Sequence, residues 1–194
     1  MILNDQQITD LYNSTNFINP FFNTQIRETA YNQKIISYGL SSFGYDIRLS
    51  EDELKIRDCD GIRIIDPTDN ENTPTYTPYI QEYNNREYVK LPPQTVLYGL
   101  SVERFNLPDN IVGLAVGKST YARAGVNVLV TPLEPSWKGR LVIEIANLNR
   151  VAVKIYVNEG ITQILWLQGE KPNVTYADRA GKYQNQEHTD LGKL

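Results

Sequence analysis

The chain has 194 residues, 41% of them hydrophobic and 22% charged, with a formal net charge of −4. That length supports one well-filled core, and the negative balance argues against a binder of polymeric nucleic acid, which usually carries a basic face. One cysteine, Cys59, excludes an internal disulfide, and with a single histidine beside it too few ligands remain for a zinc site.

The opening MILNDQQITD lacks the basic and apolar regions of a secretory signal, and no run approaches the roughly 18 apolar residues of a membrane-spanning helix. A cytoplasmic protein without a membrane anchor is therefore expected. Residues 4–13 read as a short helix, with Asn4 or Asp5 as its cap and Ile8, Leu11 and Tyr12 on one face. Residues 14–34 are polar and irregular. From Ile35 the signals are those of strands: SYGLSSFGYDIRLS, punctuated by Gly39 and Gly44, then the short runs ELKI and GIRIID. Residues 66–87 hold three prolines and few aliphatic side chains, which predicts a long surface loop.

Strands dominate the second half: VKLPPQTVLYGL, NIVGLAV, GVNVLVT, RLVIEIANL, VAVKIYV and GITQILWL. Short strands between Gly and Pro turns predict an all-β antiparallel sandwich or barrel. Two of them, LVIEIA and ITQILWL, are apolar on both faces, which points to burial against another subunit. The division expected is one domain over residues 1–170 and a polar tail over residues 171–194.

Three places carry chemistry. In LVIEIA, alternation sets Leu141, Ile143 and Ile145 on one face and Val142, Glu144 and Ala146 on the other. A carboxylate there is desolvated, so its pKa rises and it can carry a proton near neutrality; a buried ion pair, or a strand whose glutamate face is simply wet, is the competing reading. Between two strands, Gly117-Lys118-Ser119-Thr120-Tyr121-Ala122-Arg123 gathers amides, hydroxyls and two cations suited to a triphosphate. It is no P-loop, since the GxxxxGK[ST] pattern needs glycine where Val112 stands and a long helix afterwards. A plain polar turn is the alternative. In the tail, Tyr176, Lys182, Tyr183 and Gln186 combine stacking surfaces with phosphate donors, suiting either a mobile end or a lid that orders over an anion. His188 and Cys59 receive no role.

Taken together these stretches resemble the dCTP deaminase family of the dUTPase-like superfamily. The landmarks are SSFGYDIRLS at 41–50, GKSTYARAGVNVLVTPLEPSWKGRLVIEIAN at 117–147, NEGITQILWL at 158–167 and TYADRAGKYQNQ at 175–186, in family order and near-family spacing. The resemblance implies a distorted antiparallel β-barrel or jelly-roll with short helices, assembled as a homotrimer with sites between subunits. It implies hydrolytic deamination of dCTP to dUTP and ammonia, supplying dUTP and then dUMP for thymidylate synthesis. Glu144 then matches the catalytic glutamate, and Ser119 and Arg123 match residues that position water and base. Lys118, Ser119, Thr120, Tyr121, Ala122 and Arg123 form the phosphate segment. Thr131 and Glu134 face sugar and pyrimidine, with glutamate at 134 where many members have aspartate. Val142 and Ile143 offer backbone groups to the base, and Gln163, Tyr176, Lys182 and Gln186 complete the nucleotide contacts.

Zinc deaminases use an H-x-E…P-C-x-x-C signature that this chain cannot supply. A metal-independent route is therefore expected, with no metal held by protein side chains and magnesium travelling on the triphosphate. dTTP is a candidate inhibitor. The competing readings are a bifunctional dCTP deaminase and dUTP diphosphatase, a dUTPase with Glu134 as its carboxylate, and a non-catalytic nucleotide-binding regulatory trimer.

Overall fold

In the computed structural model, which describes residues 1–68 and 72–192, two short helices and fourteen strands alternate along the chain. They are α1 Asp5–Thr15, β1 Ile18–Asn19, β2 Gln25–Glu28, β3 Lys34–Leu40, β4 Tyr45–Arg48, β5 Lys55–Arg57, β6 Thr75–Tyr76, β7 Ile80–Tyr83 and β8 Arg86–Leu91. There follow β9 Val96–Asn106, β10 Ile111–Gly117, α2 Ser119–Arg123, β11 Val126–Leu129, β12 Lys138–Asn147, β13 Val153–Tyr156 and β14 Gly160–Gln168.

The opening helix forms as expected. The Asn4 side chain accepts from the Gln7 amide at 2.9 Å, and the Gln7 side chain accepts from the Asn4 amide at 3.0 Å. This reciprocal cap satisfies two amides that have no partner inside the helix. Ile8 is its fully buried residue.

The strands pair antiparallel and fall into three sheets. One runs β11-β12-β9-β5-β6 with β1 also on β9, the second runs β10-β14-β4-β3-β2, and the third is β13-β8-β7. The antiparallel all-β class holds, as separate sheets. Inward residues of the two large sheets share one core, including Leu97, Phe105, Ile143 and Ile145 from the first and Tyr45, Ile47, Ile164 and Trp166 from the second. Trp166 meets the edge of Phe17 at 5.1 Å between ring centroids. Arg48 of β4 ties the sheets together: its Nε donates to Glu103 Oε1 of β9 at 2.8 Å and its amide to Oε2 at 2.9 Å. Desolvation nonetheless raises the Glu103 pKa, with Arg48 opposing it.

Three expectations need correction, the first being that residues 14–34, read as irregular, hold β1 and β2, which pair with β9 and β3. Residues 61–66 form no strand, and Ile64 is fully out in solvent at 83% exposure. β5 already bonds β9 on one edge and β6 on the other, so no sheet edge is left there for a further run. The loop expected over 66–87 lies at the surface, but part of it is sheet: β6 pairs with β5, and β7 pairs with β8 in a hairpin. Asn84 and Asn85 turn that hairpin with φ of 53° and 54°, the left-handed pair that a two-residue connection needs. Residues 69–71 of that segment lie outside the described residues. Among the described residues no helix is long and apolar enough to cross a membrane.

Candidate active site

A cleft of about 600 Å³ opens beside β12, walled by residues 131–144 on one side and by the tail on the other. Glu144 lines it together with Thr131, Glu134, Trp137, Leu141, Val142, Tyr176 and Gln186. In the ladder Glu144 stands opposite Leu129 of β11 and Tyr98 of β9. Residues directly opposite across a ladder share a face, so an aliphatic and an aromatic side chain flank the carboxylate. Burial there raises its pKa to about 7. Among the described residues no ion pair involves Glu144, whereas Arg48, Arg86 and Lys118 each hold a buried carboxylate elsewhere. The ion-pair reading of this residue is thereby set aside.

Alternation alone assigns Leu141 to the core face, away from Glu144. It is indeed buried in the core cluster with Ile143 and Ile145, and it also borders the cleft. The register between β12 and β9 shifts between Arg140 and Val142, and the Leu141 amide leaves the ladder to donate to Ser101 Oγ at 2.9 Å. The extra residues lie on β9, where 101–103 face Leu141 alone, so the bulge belongs to β9 and alternation along β12 is unbroken.

The tail is docked along its own chain. The Arg140 amide donates to the Gln186 carbonyl at 2.7 Å, and the Asn185 amide to the Lys138 carbonyl at 2.8 Å. Gly139 permits this approach. At φ +140° it brings the tail so close that an added Cβ would lie 2.7 Å from the Gln186 nitrogen and oxygen. Trp137 Nε1 donates to the Tyr183 carbonyl at 2.7 Å, and the Tyr183 amide donates to Tyr176 Oη at 2.9 Å. Ion pairs Glu134–Arg179 and Arg104–Glu187 flank these bonds. Glu53 takes His188 Nδ1 at 2.7 Å and the Thr189 amide at 2.9 Å, and the side-chain bond to His188 leads in lowering the Glu53 pKa. These bonds dock residues 176–189 against the chain. Its last two residues, 193 and 194, lie outside the described ones.

The remaining predicted residues lie elsewhere in the chain. Ser119, Thr120, Ala122 and Arg123 are exposed on α2. Tyr121 is a core residue: its hydroxyl accepts from the Tyr156 amide at 2.9 Å, and burial pushes its pKa well above the ordinary phenol range. Lys118 is paired with Asp46. Gln163 donates to Ser41 Oγ at 2.8 Å on the second sheet. Ile143 is fully buried, leaving only its backbone to offer, and Lys182 is exposed on the tail outside the cleft lining. Trp137, Leu133, Leu141, Asp190 and Leu191 line the cleft without having been proposed as contacts, beside Tyr183 of the candidate lid. Trp137 had a readable signal, an isolated indole in the turn EPSWKG. Among the described residues no group of three or more His, Cys, Asp or Glu is arranged to hold a metal ion.

Comparison with known proteins gives one consistent result. A family model described as dCTP deaminase-like matches residues 2–169. A dCTP deaminase of Acidobacterium capsulatum is 43% identical over 178 residues, covering 91% of each chain. One of Erythrobacter litoralis is 41% identical over 194 residues, covering 100% of this chain and 99% of the relative. Among solved structures, the 2'-deoxycytidine 5'-triphosphate deaminase of Agrobacterium tumefaciens aligns with a TM-score of 0.57 at 16% identity. That match covers 87% of this chain and 46% of the longer one, and it shows a shared fold.

Proposed function

The chain belongs to the dCTP deaminase-like family, and from that premise we infer that it hydrolyses dCTP to dUTP and ammonia with Glu144 as the proton carrier. One observation carries this reading: a carboxylate in a partly apolar cleft, without a cation partner, whose pKa stands at about 7. At neutral pH such a group is divided between its two forms, so it both accepts and returns a proton with little driving-force penalty.

Hydrolysis needs a proton taken from water as its oxygen attacks C4 of the cytosine ring. It needs one delivered to N3, and one more on the departing amine. Glu144 takes the first and hands it to N3, where it stays in the uracil ring; the second water proton passes from the C4 hydroxyl to the amino group as the C4–N bond breaks and ammonia leaves. The apolar neighbours Leu141, Val142 and Trp137 keep bulk water from the carboxylate and strengthen every dipole aimed at the developing charge. The chain has one histidine and one cysteine, so the water is activated by hydrogen bonds and the carboxylate. Magnesium would come with the triphosphate as part of the substrate and offset its charge. dTTP, with the same sugar and triphosphate, is the expected competing ligand.

The triphosphate segment 118–123 comes from a neighbouring subunit of a homotrimer in this reading. Its support is an apolar surface beside that segment: Leu114 and Val116 of β10 and Leu129 of β11 stay 42%, 38% and 48% exposed. Apolar side chains massed at one place on a soluble surface suit cover by a second copy. Tyr176, Lys182 and Gln186 then close over the nucleotide as a lid. The decisive assay is product analysis on dCTP with magnesium. Accumulation of dUTP and ammonia is expected; dUMP with diphosphate would identify the bifunctional enzyme, and binding without turnover the regulatory trimer.

A further inference from the structure

Asp46 did not emerge from the motifs, yet it sits where the phosphate segment leaves its sheet. It occupies β4 between Tyr45 and Ile47, both fully buried, and is itself only 2% exposed. Its Oδ2 accepts from Lys118 Nζ at 2.6 Å and from Gln25 Nε2 at 2.9 Å. The ion pair is nearly shut off from solvent, with side-chain exposures of 12% for Lys118 and 4% for Asp46. Removing one partner of such a pair strands the other charge in a dry site.

The pair also spans the sheet. Gly117 of β10 stands opposite Thr162 of β14, while Gln163 of β14 stands opposite Asp46. Lys118 thus leans back across β14 to reach Asp46. Its stem packs on Gly160, where an added Cβ would come within 3.2 Å of Lys118 Cε. Lys118 is also the residue that begins α2. Three residues later Tyr121 is held by the Tyr156 amide. The short helix is pinned at both points, and the side chains of Ser119, Thr120 and Arg123 between and beyond them face solvent.

We propose that Asp46 is a positioning residue for the phosphate end of the substrate: by holding Lys118 it sets where Ser119, Thr120 and Arg123 meet the nucleoside triphosphate. This rests on the function proposed above. Asp46 acts through Lys118, since a carboxylate facing phosphate oxygens would repel them. Part of the Lys118 charge is committed to this pair, and Arg123 is the cation that the segment turns outward.

The test is Asp46→Asn, which keeps shape and removes charge, measured on dCTP and with tripolyphosphate and deoxycytidine as competitive inhibitors. Expected is a rise in KM for dCTP of about tenfold or more with kcat within about threefold, as for a lost charge-assisted anchor remote from the reacting atoms. Inhibition by tripolyphosphate weakens by a like factor, and that by deoxycytidine is unchanged. Lys118→Met gives the same pattern, and the double variant is no worse than the poorer single one, because the two residues act as a unit. An unchanged KM, equal weakening of both inhibitors, or additive losses would each overturn the role. If Asp46→Asn does not fold, Lys118→Met decides alone by the same split. Wild-type turnover of dCTP keeps the two inferences apart: without it the function falls, and with it only the positioning role is at stake.

Discussion

The cleft around Glu144 and the segment 118–123 are built by opposite means. The cleft is enclosed within one chain: β12 forms its floor, and the tail is hydrogen-bonded along its rim. Enclosure removes water, and that removal moves the Glu144 pKa to about 7. The segment is anchored from beneath by Asp46 and Tyr156, yet its hydroxyls and Arg123 stand open to solvent. The contrast suits the two tasks proposed for these regions. A proton carrier needs a dry pocket before substrate arrives, whereas phosphate donors need only be pre-oriented, because the charge they meet comes with the ligand.

The largest effect expected falls on the enclosed region. Glu144→Gln should lower kcat by roughly 10² to 10⁴, the range that general acid–base catalysis supplies, while leaving dCTP binding measurable by calorimetry. Appreciable turnover in that variant would move the proton work to another group. In the wild type, kcat/KM should fall on the acid side with a midpoint near pH 7; a midpoint near 4.5 would mean a solvated carboxylate with no special surroundings.

Cutting the chain after Glu170 comes next. It removes the wall formed by Tyr176, Tyr183 and Gln186, so KM for dCTP should rise at least about tenfold, as for loss of a closing lid. The acid limb should also slide toward the ordinary carboxylate range as water reaches Glu144. Unchanged kinetics would separate the tail from both effects. A smaller signal tests the open region. Mixing inactive Glu144→Gln chains with inactive Arg123→Ala chains should restore activity to about a quarter of sites, the statistical share in which a shared site draws its intact half from each parent. No recovery after subunit exchange would mean that one chain completes its own site.

The smallest effect is on stability, and its sign is fixed by linkage. The folded pKa of Glu144 lies near 7, above the ordinary 4.5, so between those values the folded state binds more protons and stability falls as pH rises. Glu144→Gln should therefore be more stable than wild type at pH 8, by at most on the order of 3 kcal/mol. The gain should vanish toward pH 4.5, as denaturant titrations at both pH values would read. A variant destabilised at pH 8 would show that the carboxylate is not strained by its burial.

Legibility in the sequence followed the range of the signal. The strand LVIEIA told its story in six residues, because alternation has a period of two and Glu144 fell on the half-buried face. The hydroxyls and cations of 118–123 were equally visible. The same rule placed Leu141 in the core with Ile143 and Ile145, but did not show that its amide would bond Ser101, forty residues away in sequence. Polar composition suggested mobility for the tail, but its order depends on backbone bonds that composition cannot register.

The amino-acid sequence by itself determined the all-β class, the family resemblance, the carboxylate on a drying strand face and the hydroxyls and cations gathered in segment 118–123. These are properties of neighbouring residues, written in local pattern and residue type. Tertiary structure alone decided that Gly139 admits residue 186, that Asp46 captures Lys118, and that Glu144 and Arg123 of one chain do not share a pocket. Each of those outcomes turns on long-range packing, where a missing Cβ or a buried counter-charge selects one partner among many, and nothing in the flanking residues announces which.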